Sequence, residues 1–151
     1  MDAWTAAHRA LADDLVGQVT VKLVDPLDIL VGADEALRAR VAEQSRVWAA
    51  ALLGEDETQA ALTAGRLVAA LYPSDGPFDP PAAWWATPFG RAVALRIGHP
   101  SAQTVPVVQA AAMLGITRQG VHDLANRGRL ERDADGRITV SSVRARLAAR
   151  S

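Results

Sequence analysis

Residues 108–130 read VQAAAMLGITRQGVHDLANRGRL, and the spacing of their small and apolar residues predicts two short helices that cross through a tight turn. Ala111 allows the second helix to approach the first, and Gly115 can adopt the positive φ at which a helix ends. Val121 and Leu124 stand where they would fill the angle between the helices. The stretch therefore predicts a helix-turn-helix.

A Gly-x-Leu sequence at residues 128–130 and a short basic segment follow this motif. In these features the chain resembles the DNA-binding domains of the excisionase and MerR-like winged-helix families, over about residues 104–150. The resemblance implies a winged helix-turn-helix whose second helix, residues 117–127, enters the major groove of double-stranded DNA. The first hundred residues match nothing in these families.

The wing is predicted as a small β-hairpin. Residues 129–132 and 137–140 predict its two strands, because they flank the turn-forming sequence DADG at residues 133–136. Its arginines are expected to reach phosphates or a minor groove, which fixes the register of the protein on DNA without reading bases.

The helix-turn-helix and the wing together provide the predicted DNA contacts. Arg118 suits the two acceptors of guanine, Gln119 suits the adenine edge, and His122 can donate to a base or a phosphate. The alternative is that these three are ordinary solvated side chains. The predicted DNA-binding residues are Thr117, which also caps the helix, Arg118, Gln119, His122, Arg127, Arg129, Arg132 and Arg137.

The sequence departs from the family pattern in three respects. Val107 stands where those families commonly have Ser or Thr, although Thr104 or the backbone can cap the first helix instead. Asp123 stands where a basic or aromatic residue is usual, and an acid there repels phosphate unless Arg127, four residues on, neutralises it. MerR-like regulators dimerise through a helix that follows the winged helix, so residues 1–98 are expected to form any homodimer here.

Residues 1–98 are predicted to form an α-helical body, separate from a DNA-binding domain at residues 99–151. The first helix is predicted from about Asp2 to Val16. Residues 18–24 alternate with a period of two but also continue the helical pattern, so strand and helix both remain open. Asp25-Pro26 is expected to break any helix.

Three more helices complete the predicted body. Asp34 is predicted to cap a helix that reaches Leu53. The acidic residues 55–57 are expected to start the next helix, a metal site being the alternative. The pair Trp84 and Trp85 is predicted to hold an irregular segment against the helices, although it could also stack on bases; a third helix follows it.

Charge is divided unequally along the chain. Residues 1–100 hold 8 basic and 13 acidic side chains, a net of −5, whereas residues 101–151 hold 8 basic and 4 acidic, a net of +4. An acidic body joined to a basic end is typical of a nucleic-acid module with a separate interaction part.

The composition argues against other classes of protein. The chain has no cysteine, which excludes disulfides and thiolate chemistry, and its apolar runs are too short to span a bilayer. It lacks the nucleophile, phosphate-loop and zinc-protease motifs of common enzymes, and its three histidines are scattered. We expect no enzymatic activity, no cofactor and no membrane partner.

The sequence thus predicts a mostly α protein with a C-terminal winged helix-turn-helix, which binds double-stranded DNA and regulates transcription as a cytoplasmic, nucleoid-associated homodimer. One alternative is a protein-interaction module, such as an antitoxin or adaptor, whose N-terminal body binds a partner protein. The other is an excisionase-like DNA architectural factor.

Overall fold

The computed structural model describes residues 4–150, and it is mostly helical with one small two-stranded antiparallel sheet. The chain divides between Pro73 and Ser74 into two compact units, called here the N-terminal and C-terminal units. Within residues 4–150, no helix combines the length and apolar character needed to cross a membrane.

The N-terminal unit consists of helices. They are α1 (Ala6–Val19), a π-helical turn (Thr20–Val24), α2 (Asp25–Val31), α3 (Glu35–Leu52) and α4 (Glu57–Leu71). α3 packs against both α1 and α4. Alanines such as Ala49, Ala60 and Ala64 are fully buried and let the helices approach closely, while Leu15 and Leu52 fill the space between them.

Side-chain caps begin α1, α3 and α4, and the sequence predicts the cap at Asp34 and a helix start at the acidic residues 55–57. Asp34 accepts a hydrogen bond from the Leu37 amide at 2.9 Å, and Asp56 accepts one from the Gln59 amide at 3.0 Å. The predicted start of α1 at Asp2 lies outside the described residues. Thr5, in an extended conformation, caps the helix that begins at Ala6.

The predicted helix break at Asp25-Pro26 is wrong. Residues 18–24 are helical, and the chain passes through the π-helical turn into α2 with Pro26 in its first turn. The Asp25 amide bonds back to the Thr20 carbonyl, five residues earlier. In a regular α-helix, the Pro26 ring would clash with the carbonyl four residues earlier, at Lys22. That residue lies in the wider π-helical turn.

The C-terminal unit surrounds the small sheet with helices. Its elements are α5 (Ala82–Trp85), α6 (Pro88–Arg96), β1 (Thr104–Val105), α7 (Val107–Leu114), α8 (Arg118–Asn126), β2 (Ile138–Thr139) and α9 (Val140–Arg150). β1 and β2 are antiparallel, with Thr104 opposite Thr139 and Val105 opposite Ile138.

This compact unit begins 25 residues before the predicted boundary at residue 99, because α5 and α6 belong to its core. α5 packs on α7, and α6 packs on α7 and α9. Trp85, Phe89 and Val93 are fully buried. The tryptophan pair thus has the predicted packing role, and Trp84 meets Phe78 edge to face at 5.2 Å.

The predicted hairpin is only partly formed. β2 pairs with β1, and it also pairs with the segment before the turn: Arg132 bridges Ile138, the Thr139 amide donates to the Glu131 carbonyl at 2.9 Å, and the Asp133 amide donates to the Arg137 carbonyl at 2.8 Å. Arg129 and Leu130 lie outside this pairing. The amides of Arg129 and Leu130 donate to the Leu124 carbonyl at 2.8 and 3.3 Å. These bonds close the end of α8 and hold Arg129 and Leu130 against it, so the pairing along β2 begins only at Glu131.

Thr104 does not cap α7, because it lies in β1. α7 follows the extended Pro106 without a side-chain cap. Its other end is as predicted: Gly115 adopts a left-handed conformation with φ of 68°, and the Ile116 amide donates to the Ala111 carbonyl at 3.0 Å.

Candidate nucleic-acid interface

The site is built on the first turns of α8. Thr117 is extended, and its hydroxyl accepts a hydrogen bond from the Gly120 amide at 3.0 Å. Val121, four residues on, is fully buried against the rest of the C-terminal unit, and α8 packs on α7. The cap and this apolar anchor together fix both the starting point and the rotation of α8.

The side of α8 opposite Val121 faces solvent. Arg118, Gln119 and His122 are all exposed, as the sequence predicts. These three side chains provide a guanidinium, an amide and an imidazole on one face, which are the groups that recognise base edges and phosphates.

A chain of hydrogen bonds joins α8 to the segment before β2. Arg132 donates from Nη1 to Asn126 Oδ1 at 3.0 Å, and its Nη2 lies 3.0 Å from His122 Nδ1. Since a guanidinium only donates, Nδ1 is the acceptor, and the hydrogen of a neutral His122 ring is on Nε2. The structure therefore brings Arg132 and His122 together. Asn126, which the sequence analysis missed, lies one helical turn beyond His122 on the same face.

Asp123 remains an uncompensated acid at this face. It accepts a hydrogen bond from Gln119 Nε2 at 3.0 Å, and it makes no ion pair with Arg127 in the described part of the chain. The condition under which Arg127 would neutralise Asp123 is therefore not met. A neutral amide leaves the carboxylate charge in place, so Asp123 disfavours phosphate nearby and orients Gln119 instead.

The other arginines among the predicted DNA-binding residues fall into two groups. Arg137 is held by β1, donating from Nε to Thr104 Oγ1 at 3.1 Å and from Nη2 to the Thr104 carbonyl at 3.2 Å. Arg118, Arg127 and Arg129 are exposed and make no side-chain hydrogen bond or ion pair to any residue in the range 4–150. These three guanidinium groups are thus available to an external anion.

The charge of the C-terminal unit suits such an anion. Residues 74–151 contain 10 basic and 6 acidic side chains, a net of +4, whereas residues 1–73 contain 6 basic and 11 acidic, a net of −5. The positive excess is therefore concentrated in the unit that carries α8.

A polar groove of about 320 Å³ also lies within the C-terminal unit, and Asp79, His99, Gln109 and Arg137 are among its lining residues. His99 is 8% exposed, its Nδ1 accepts a hydrogen bond from the Ser101 amide at 3.0 Å, and its ring lies 5.1 Å from that of Trp85. Burial lowers the pKa of His99, because desolvation penalises the charged ring, while Asp79 at 3.8 Å acts in the opposite direction.

This buried histidine predicts that the C-terminal unit loses stability in mild acid. The unfolded chain binds a proton at His99 more readily than the folded chain, so the free energy of unfolding falls as the pH drops below the ordinary value of 6.5. Denaturant titrations at several pH values measure this. We expect His99→Gln to flatten the dependence and Asp79→Asn to retain it; an unchanged dependence in His99→Gln would contradict the assignment.

Within residues 4–150, no group of three or more His, Asp or Glu side chains is placed to hold a metal ion. Comparisons of the chain with protein-family models, curated proteins and solved structures find no match. The function is therefore inferred from the residues of this chain.

Proposed function

We propose that this protein binds double-stranded DNA in a sequence-dependent manner and regulates transcription. In this proposal α7, the turn at Gly115 and α8 form a helix-turn-helix, and α8 enters the major groove. The observation that supports it most directly is the exposure of Arg118, Gln119 and His122 on the first turns of a helix whose other side is anchored by Val121.

Base reading is assigned to the start of α8. Arg118 can bond to the two acceptors of guanine, and Gln119 can bond to the edge of adenine once it releases Asp123. His122 can donate to a base or a phosphate from Nε2 while Arg132 holds its other nitrogen. The free arginines Arg127 and Arg129 are assigned to phosphates, which set the position of α8 in the groove.

The structure changes what we propose for the wing. Arg137 is bonded to Thr104 in β1, and Arg132 is bonded to α8, so neither projects from the tip of a long hairpin. We propose that Arg132 supports the helix and makes at most one phosphate contact, and that Arg137 mainly stabilises the sheet.

A salt titration of the full chain tests DNA binding. With roughly four to six phosphate contacts, the logarithm of affinity for a mixed-sequence duplex should fall against the logarithm of salt with a slope of about −4 to −5. Fluorescence anisotropy with a labelled duplex measures this slope. The absence of binding at low salt, or a slope near zero, would contradict the proposal. Selection of bound sites from random duplexes then tests sequence dependence, and a DNA-bending assay distinguishes an architectural factor from a simple repressor.

A further inference from the structure

Large apolar side chains are exposed in one short segment of the N-terminal unit, residues 21–31, which we call the apolar helix end. Within the described chain, nine large hydrophobic residues are strongly exposed, and six of them belong to this segment. They are Val21, Leu23, Leu27, Ile29, Leu30 and Val31, with 65, 47, 42, 84, 78 and 77% of their surface exposed.

The apolar helix end has little support from its own unit. α2 contains no buried residue, and Val24 in the preceding turn is the one member of the segment that is buried. The exposed residues occupy adjacent and alternating positions, so they surround the helix instead of forming a single stripe. Apolar side chains that are exposed on several sides of a helix are normally covered by other protein, and in α2 only Asp25 and Asp28 are charged.

The area exposed is large enough for an interface. Six aliphatic side chains exposed to this degree present on the order of 500 Å² of apolar surface. The largest patch on a typical monomer is about 300–600 Å² and is often functional. A stable interface takes about 800 Å² from each partner, with an apolar centre and a polar rim. The segment therefore supplies the centre, and its charged neighbours supply the rim.

The charges around the segment are self-complementary. Arg38 Nη2 lies 3.7 Å from Asp25 Oδ1 and 3.4 Å from Asp28 Oδ2, and all three side chains are at least one-third exposed. Lys22 lies over the Tyr72 ring at 4.9 Å from its centroid. The charges of these four groups balance, so each of the two acids can face a base of the other copy.

We propose that a second copy of this chain covers the apolar helix end and forms a twofold-symmetric dimer. A twofold contact uses the same patch on both copies and closes at two, so one exposed segment per chain is sufficient. This inference does not depend on DNA binding.

The test compares two double variants of the full chain by sedimentation velocity over a wide range of protein concentrations. Ile29→Glu/Leu30→Glu removes four apolar side chains from the dimer and introduces four charges, so the dissociation constant should rise at least about a hundredfold. The matched control is Val47→Glu/Leu62→Glu, at positions that are 55 and 63% exposed outside the segment. The control should remain dimeric, and circular dichroism should show equal helicity in both variants.

The proposal is overturned if the wild-type chain is monomeric throughout, if the Ile29/Leu30 variant remains dimeric, or if the control dissociates equally. It is also overturned if the chain is monomeric and sediments with anionic lipid vesicles. The same holds if the chain is monomeric and a different protein covers the segment. A dimer that fails to bind duplex DNA would support this inference while contradicting the proposed function, so the two failures are distinguishable.

Discussion

Replacing Arg118 and Arg129 with glutamate is expected to lower the affinity of the full chain for duplex DNA at least about a hundredfold, because each reversal removes a base or phosphate contact and adds repulsion. Both side chains are exposed and have no partner in residues 4–150, so neither change breaks an internal bond. Fluorescence anisotropy at a fixed salt concentration measures the effect.

The matched control for this experiment is Arg9→Glu/Arg40→Glu. Both positions are exposed on helices of the N-terminal unit, and the change in net charge is the same. If the control loses as much affinity as the test variant, the effect comes from overall charge and α8 is not the binding element. If neither loses affinity, the assigned interface is wrong.

Phe89→Ala is expected to lower the free energy of unfolding of the C-terminal unit by about 3–5 kcal/mol, as is typical for truncating a buried aromatic residue. Phe89 is fully buried in α6, which packs on α7 and α9, and Trp84 meets it edge to face at 5.6 Å. Native-state hydrogen exchange measures the effect as faster exchange of the amides in α7 and α8.

The control is Phe78→Ala, because Phe78 is only partly buried in the same aromatic cluster, and it should have a smaller effect. If Phe89→Ala leaves exchange in α7 and α8 unchanged, residues 74–98 do not share a cooperative core with the candidate interface. A fragment that begins near residue 99, the boundary expected from sequence, would then fold as well as one that begins at Ser74.

The parts of the fold that the sequence predicted correctly depend on short-range patterns. Gly115 ends α7, Thr117 caps α8, and Asp34 caps α3, each through contacts within a few residues. The exposure of Arg118 follows from the same local geometry, since the position of Val121 on the buried side determines which residues face solvent.

The parts that it missed depend on residues distant in the chain. β1 has two residues and no detectable periodicity, and it forms because Thr104 pairs with Thr139 far along the sequence. The hydrogen bond between Arg137 and Thr104 depends on that pairing. Because the pairing is not visible in the sequence, Arg137 was predicted to contact DNA. The sequence also gives no sign that the compact unit starts at Ser74, because the burial of Trp85 and Phe89 against α7 depends on tertiary packing.

The π-helical turn has a geometric consequence for α2. It holds one residue more than an α-helical turn, so every later residue is rotated by about 100° around the axis relative to an uninterrupted helix. Leu15 and Val19 face the interior before the turn, and Ile29 and Leu30 face outward after it. Deleting a single residue within Thr20–Val24 would therefore rotate α2 about its axis without changing its side chains, so the number of residues in this turn decides which of those side chains face outward.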